Sequence, residues 1–194
     1  MTVVTGSAAV IESCAMEPVR TILYDPPEIE YLDGHPHPKV SPKTAHSFVQ
    51  AALGRIIEDC AGDRGGAGTE WRFDPGAIDT TVTEFVPDVA YVSWERFRAL
   101  SPDRREKLPF SPEIAVEVRS PTDDLKYLTE KIARYLNTGS LLVLDVDPAT
   151  RTIVAHSAQG VREYASDAYF EHKAIPWLRF PVAAAFAKLD EYRK

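Results

Sequence analysis

Between Pro112 and Ser120 the chain alternates: Ile114, Val116 and Val118 interleave with Glu113, Ala115, Glu117 and Arg119. A period of two marks a β-strand with two unlike faces, so Glu117 and Arg119 share one face. Ser120, Pro121, Thr122, Asp123 and Asp124 then supply cap residues, a proline and first-turn acids for a helix. That helix runs to about Asn137 and is closed by Gly139, with Leu125, Leu128, Ile132, Tyr135 and Leu136 as its buried stripe. Leu141 to Val146 is a nearly continuous apolar run, as in a strand covered on both faces.

The rest of the chain supplies more strands and a second long helix. Residues 1–20 read as a loosely ordered extension, and residues 21–194 as one domain, a size that suits a single core. Thr21 to Tyr24 is a candidate strand, Glu28 to Gly34 a strand ending in an Asp-Gly turn, and the segment through Pro42 a proline-rich loop. Ser41 and Pro42 fit the start of a helix reaching Cys60, whose apolar positions Ala45, Phe48, Val49, Ala52, Leu53, Ile56 and Ile57 recur at three and four residues. Asp63 to Gly68 reads as a flexible turn, followed by strands over Glu70 to Phe73, Thr80 to Val86 and Asp88 to Val92. The mixed charges of residues 94–110 read as a solvated surface helix or loop. A hairpin over Thr152 to His156 and Val161 to Tyr164, an apolar segment over Ile175 to Phe180 and an alanine-rich helix over Val182 to Tyr192 complete the chain. The order of helix, strands, helix and strand gives an α/β fold with a central mixed sheet flanked by helices.

Charge and cysteines narrow the function. A formal net charge of -7 gives no global footprint for nucleic acid, so contact with DNA would need a local basic patch. Cys14 and Cys60 match no zinc or redox spacing and read as free thiols of a reducing compartment. Glu12 and Glu17 interrupt the early apolar residues, and no apolar run is long enough for a membrane helix, so the expected location is the cytoplasm.

Two acids stand at particular places: Asp88 opens a strand after Pro87, and Glu117 lies near the end of the next core strand. Neighbouring strands would bring these carboxylates together, and close like charges resist joint ionisation unless a cation neutralises them. Hard divalent cations prefer oxygen donors, and the backbone carbonyl of Val118 is a plausible third one. Lys131, one turn before Tyr135, would carry its ammonium across core surface to the same end of the sheet. There it would orient or deprotonate a water, or stabilise a pentavalent phosphate, while Arg119 contacts phosphate. The bland alternative is a polar sheet edge with Lys131 as an ordinary flank residue.

The segments Pro87-Asp88-Val89-Ala90-Tyr91-Val92, Glu113 through Pro121, Lys131-Ile132-Ala133-Arg134-Tyr135 with Gly139, and Leu144-Asp145-Val146-Asp147 resemble the Uma-type restriction endonuclease family of the PD-(D/E)XK nuclease superfamily. Glu30-Tyr31-Leu32-Asp33-Gly34 and His46 are similar to that family as well, so the resemblance extends over about residues 28–180. It implies a restriction-endonuclease-like core acting on DNA, with Asp88 and Glu117 as ligands of magnesium or manganese and Lys131 as the lysine that many members carry on the helix. Glu30 and His46 are possible additions to the site. Arg119 stands where the general motif has lysine, and arginine stays protonated, so Lys131 is the expected base. Three readings follow: a metal-dependent endonuclease, dimeric like many enzymes that cut duplex DNA; a catalytically silent nuclease-fold binding or regulatory protein; and an enzyme acting on another phosphorylated substrate.

Overall fold

The computed structural model describes residues 29–32, 35–38, 43–77, 82–121 and 123–192. Ten of the elements position the candidate site or its surroundings: β1 (Ile29–Leu32), β2 (His35–Pro38), α1 (Thr44–Ala61), β3 (Gly65–Thr69), β4 (Val82–Glu84), β5 (Val89–Ser93), α2 (Trp94–Arg98), β6 (Ile114–Val118), α3 (Leu125–Asn137) and β7 (Leu142–Asp147). The other strands and the last helix are β8 (Thr152–Ser157), β9 (Gly160–Tyr164), β10 (Tyr169–His172), β11 (Ile175–Pro181) and α4 (Ala183–Tyr192). A six-stranded sheet of order β3-β5-β6-β7-β8-β9 forms the centre. Only β6 and β7 run parallel, and α3 connects them. Parallel neighbours need such a crossover, whereas β7-β8 and β8-β9 close by tight turns.

The alternation of β6 sorts the core into two layers. Val116 and Val118 face one layer with Leu53 and Ile57 of α1, Phe186 of α4, and Phe170 and Phe180 of the β10-β11 hairpin. Ala115 faces the other with Leu128, Ile132 and Tyr135 of α3 and with Phe73, Phe85 and Leu108. α3 begins on Asp124, whose carboxylate accepts from the Lys126 N–H at 2.8 Å, and ends before Gly139 at φ 107°. Leu125, expected in the buried stripe, is 56% exposed because it occupies the first helical position.

Several expectations need correction. The Asp63–Gly68 segment is not a flexible turn: Gly65 to Thr69 form β3, paired antiparallel with β5 from Gly65↔Ser93 to Thr69↔Val89. The glycines allow this close pairing. A Cβ on Gly65 would overlap the Val92 carbonyl oxygen, and Cβ atoms on Gly66 and Gly68 would sit 3.1 and 3.2 Å from the rings of Trp94 and Trp71. The strand expected at Glu70–Phe73 shrinks to single bridges from Phe73 to Phe85 and Leu108. Part of the proline-rich loop is the strand β2, paired with β1 at the margin of a small sheet of order β2-β1-β4. Proline is tolerated there because an edge strand need not donate on its outer side. The apolar segment near residue 175 is one arm of the β10-β11 hairpin. The candidate strand Thr21–Tyr24, the extension of residues 1–20 and the helix-start pair Ser41-Pro42 lie outside the described residues. Among the described residues no helix is long and apolar enough to cross a membrane.

Candidate active site

β5 and β6 are antiparallel, with Val89 opposite Val116, so Asp88, the residue immediately before β5, meets the end of β6. Its Oδ2 accepts the Val118 backbone N–H at 2.7 Å. In an extended residue the N–H and C=O project to the same side of the strand. The Val118 carbonyl therefore faces the Asp88 side, while the next N–H, that of Arg119, points the other way to Val146 O at 2.8 Å.

α1 fixes Asp88 from its other flank. His46 Nε2 lies 3.0 Å from Asp88 Oδ2, and one turn later Gln50 Nε2 donates to the Asp88 carbonyl at 2.9 Å and to Glu70 Oε1 at 2.8 Å. Both side chains are buried. Two polar residues spaced i, i+4 within an apolar stripe were the signal for this pair, and Gln50 escaped the sequence reading.

Glu117, on the α3 face of β6, receives Lys131 Nζ at 2.9 Å and the Tyr135 hydroxyl at 2.8 Å. Lys131 Nζ also lies 2.7 Å from Glu30 Oε1, and the Val86 N–H donates to that oxygen at 2.8 Å. Asp88, Glu117, Lys131, Glu30 and His46 are thus gathered at one end of the sheet. The four charged groups are nearly sealed, with exposures of 2% for Glu30, 4% for Asp88, 7% for Glu117 and 2% for Lys131. Burial draws the Lys131 pKa down, but the charges of Glu117, Glu30 and Asp88 outweigh it and leave it raised above the ordinary 10.5. The amine is held as an ammonium. This disfavours the proton-abstracting role expected of it and favours an electrostatic one. The Tyr135 hydroxyl is likewise held neutral, its pKa raised by burial and then by Glu117.

Arg119 shares the face of Glu117, as the alternation requires, but its guanidinium is engaged. Nε and Nη2 donate to the two oxygens of Asp145 at 2.7 and 2.6 Å, and Asp147 stands 3.8 Å away. The parallel register Glu117↔Asp145 places this pair beside the acid cluster. Trp71, Trp94 and Trp177 pack on Phe73, Phe97 and Tyr91, with ring centroids 4.8 to 5.8 Å apart. Arg162, Lys173 and Arg179 line a basic groove beside the β10-β11 hairpin. It lies at the β8-β9 turn, the opposite end of the sheet from Glu117.

The donor set suits a hard divalent ion: carboxylates of Asp88 and Glu117 with the Val118 carbonyl, all oxygen. Three buried carboxylates also face one ammonium, an excess of negative charge that a cation would neutralise. Among the described residues no three His, Cys, Asp or Glu side chains form a ready-made metal cage. Lys131 bridges Glu30 and Glu117.

The family model described as "Uma2: Putative restriction endonuclease" matches residues 16–183. The chain belongs to that family. Membership agrees with the family resemblance read from the sequence. Among solved structures, a putative nuclease belonging to DUF820 from Anabaena variabilis has a TM-score of 0.74 at 21% identity, over 84% of this chain and 92% of that one. At that identity the likeness establishes the fold, a nuclease-like mixed sheet flanked by helices. No curated protein matches.

Proposed function

We propose that this Uma2-family chain is a metal-dependent endonuclease that hydrolyses DNA phosphodiester bonds in the cytoplasm. The observation that carries the reading is the hydrogen bond from the Val118 N–H to Asp88 Oδ2, which sets Asp88, just before β5, beside the end of β6 that carries Glu117. Asp88, Glu117 and the Val118 carbonyl would hold magnesium or manganese. When bound, such an ion supplies Lewis acidity, making a water more acidic and polarising the scissile phosphate.

The chain's own groups do the rest. His46 and Gln50 fix Asp88 through its carboxylate and its carbonyl. Lys131, kept as an ammonium, offers its charge to a phosphorane rather than taking a proton. Tyr135 holds Glu117 by one oxygen. Arg119, 30% exposed and fixed by Asp145, presents the remainder of its guanidinium to a phosphate oxygen.

The assay is plasmid and single-stranded DNA with magnesium, comparing the unmodified chain with Asp88→Ala and Glu117→Ala. We expect cleavage that falls by about 100-fold or more in each variant. Equal activity in all three would assign cleavage to a contaminant and overturn the reading. The salt link through Lys131 specifically favours a second reading, a catalytically silent binding module, because it already neutralises part of the buried charge. Titration calorimetry with manganese helps separate the two: a catalytic centre must bind the ion, and a silent one need not.

A further inference from the structure

Tyr127, Lys131 and Tyr135 follow one another at four-residue spacing on α3 and so share one face of the helix. Lys131 Nζ bridges Glu30 and Glu117, at 2.7 and 2.9 Å. Each tyrosine hydroxyl donates to a different end of that bridge: Tyr135 to Glu117 Oε1 at 2.8 Å and Tyr127 to Glu30 Oε2 at 3.0 Å. Tyr135 is enclosed in the core against Phe85. Tyr127 is only partly buried, and there the imidazole of His37 stacks on its ring, with centroids 4.2 Å apart and planes at 25°. The β1-β2 register sets His37 directly opposite Glu30. Directly opposed residues of antiparallel strands project to the same side. One hairpin therefore delivers both the carboxylate and the ring that clamps its tyrosine.

We propose that Tyr127 is a positioning residue of the active centre, acting on Glu30, and that His37 acts through Tyr127. The inference rests on the endonuclease reading and adds two residues to it. Tyr127 keeps Glu30 turned onto Lys131, so the ammonium stays shared. When Glu30 loses that anchor, Lys131 shifts toward Glu117 and competes for the oxygens that Glu117 would offer a metal. The stack supplies rigidity: a phenol pinned by an aromatic ring loses less freedom in making its hydrogen bond.

The test uses the full chain with Tyr127→Phe, His37→Ala, His37→Phe, Glu30→Gln and the double variant Tyr127→Phe/Glu30→Gln. Thermal melting first establishes that each is folded. On single-stranded DNA with manganese, Tyr127→Phe should lower kcat by about 10-fold with KM within about twofold. His37→Ala should move kcat in the same direction, and His37→Phe, which preserves a stacking ring, should restore it. The double variant should be no slower than Glu30→Gln alone, as expected of a residue that acts through Glu30. Unchanged kcat in Tyr127→Phe, or a full additional loss in the double variant, overturns the inference. If the unmodified chain cleaves nothing, the endonuclease reading fails by itself, and manganese titration still reads the positioning. Tyr127→Phe should then shift manganese affinity in the unmodified background and not in Glu30→Gln. The absence of such a shift, or of manganese binding by the unmodified chain, overturns it.

Discussion

Lys131 is 2% exposed with carboxylates 2.7 and 2.9 Å from its ammonium, so its charge state and theirs are one problem. Removing one partner of a buried ion pair leaves the others desolvated and uncompensated, at a cost of about 3–5 kcal/mol. Lys131→Met should therefore destabilise the chain by that amount in denaturant unfolding, and adding Glu30→Gln and Glu117→Gln should recover most of it. The pH dependence has a definite sign. A lysine whose pKa is raised on folding contributes stability that is fully present below its unfolded value, 10.5, and is lost as pH climbs past it. Tyr135 acts in the same direction above 10.0, since folding favours its neutral hydroxyl. Melting temperatures should hold from neutral pH to about these values and then fall, and the fall should be shallower in Lys131→Met. An equally steep fall in the variant would mean that other groups set the alkaline limit.

Elements differed in how far the sequence disclosed them. The strand β6, the helix α3 and the buried strand β7 were legible because periodicity, an Asp cap and a closing glycine agree within a short window. Asp88, Glu117 and Lys131 were legible as a set because strand ends and one helix face carry them. What stayed hidden depends on partners distant along the chain. Arg119 looked available for phosphate until the β6-β7 register put Asp145 beside it. Tyr127 drew no reading from the sequence, because the partner that gives it a role, Glu30 on β1, lies 97 positions away. The glycine run of β3 carries no strand signal at all, since its fitness for the sheet lies in what its missing side chains leave room for. This makes Gly65 sensitive: Gly65→Ala should destabilise the chain by about 1–3 kcal/mol, because the new Cβ meets the fixed carbonyl of Val92 and the ring of Tyr91. Gly62, whose added Cβ would meet nothing within 4 Å, is the contrast: at φ 54° its alanine variant is strained in backbone rather than crowded. Chemical denaturation of Gly65→Ala decides the point, and unchanged stability would show that β3 can shift away from β5.

At the scale of the whole molecule, the two faces of the sheet carry unlike covers. α3 closes the candidate site on one face, and α1 with α4 covers the other, leaving between them a groove with Phe48, Ala52, Ile56 and Ala187 along its walls. Phe48 is 38% exposed. The rim carries both signs, Arg55 and Lys188 with Asp59 and Glu191, which lets the surface complement its own copy across a two-fold axis. If two copies pair, as expected of an enzyme that cuts duplex DNA, they would meet there, apolar wall against apolar wall. Two copies of net charge -7 repel one another at long range, and that repulsion fades when the screening length falls to about 8 Å at physiological salt. A contact along these walls would be apolar and insensitive to screening. Sedimentation velocity should therefore find a dimer whose share rises between low and physiological salt, and Phe48→Glu should leave monomers at both. A dimer that dissociates on adding salt would be held by ion pairs instead, and an unmodified chain that sediments as a monomer throughout would remove the dimer from the proposal while leaving the acid centre of each copy intact.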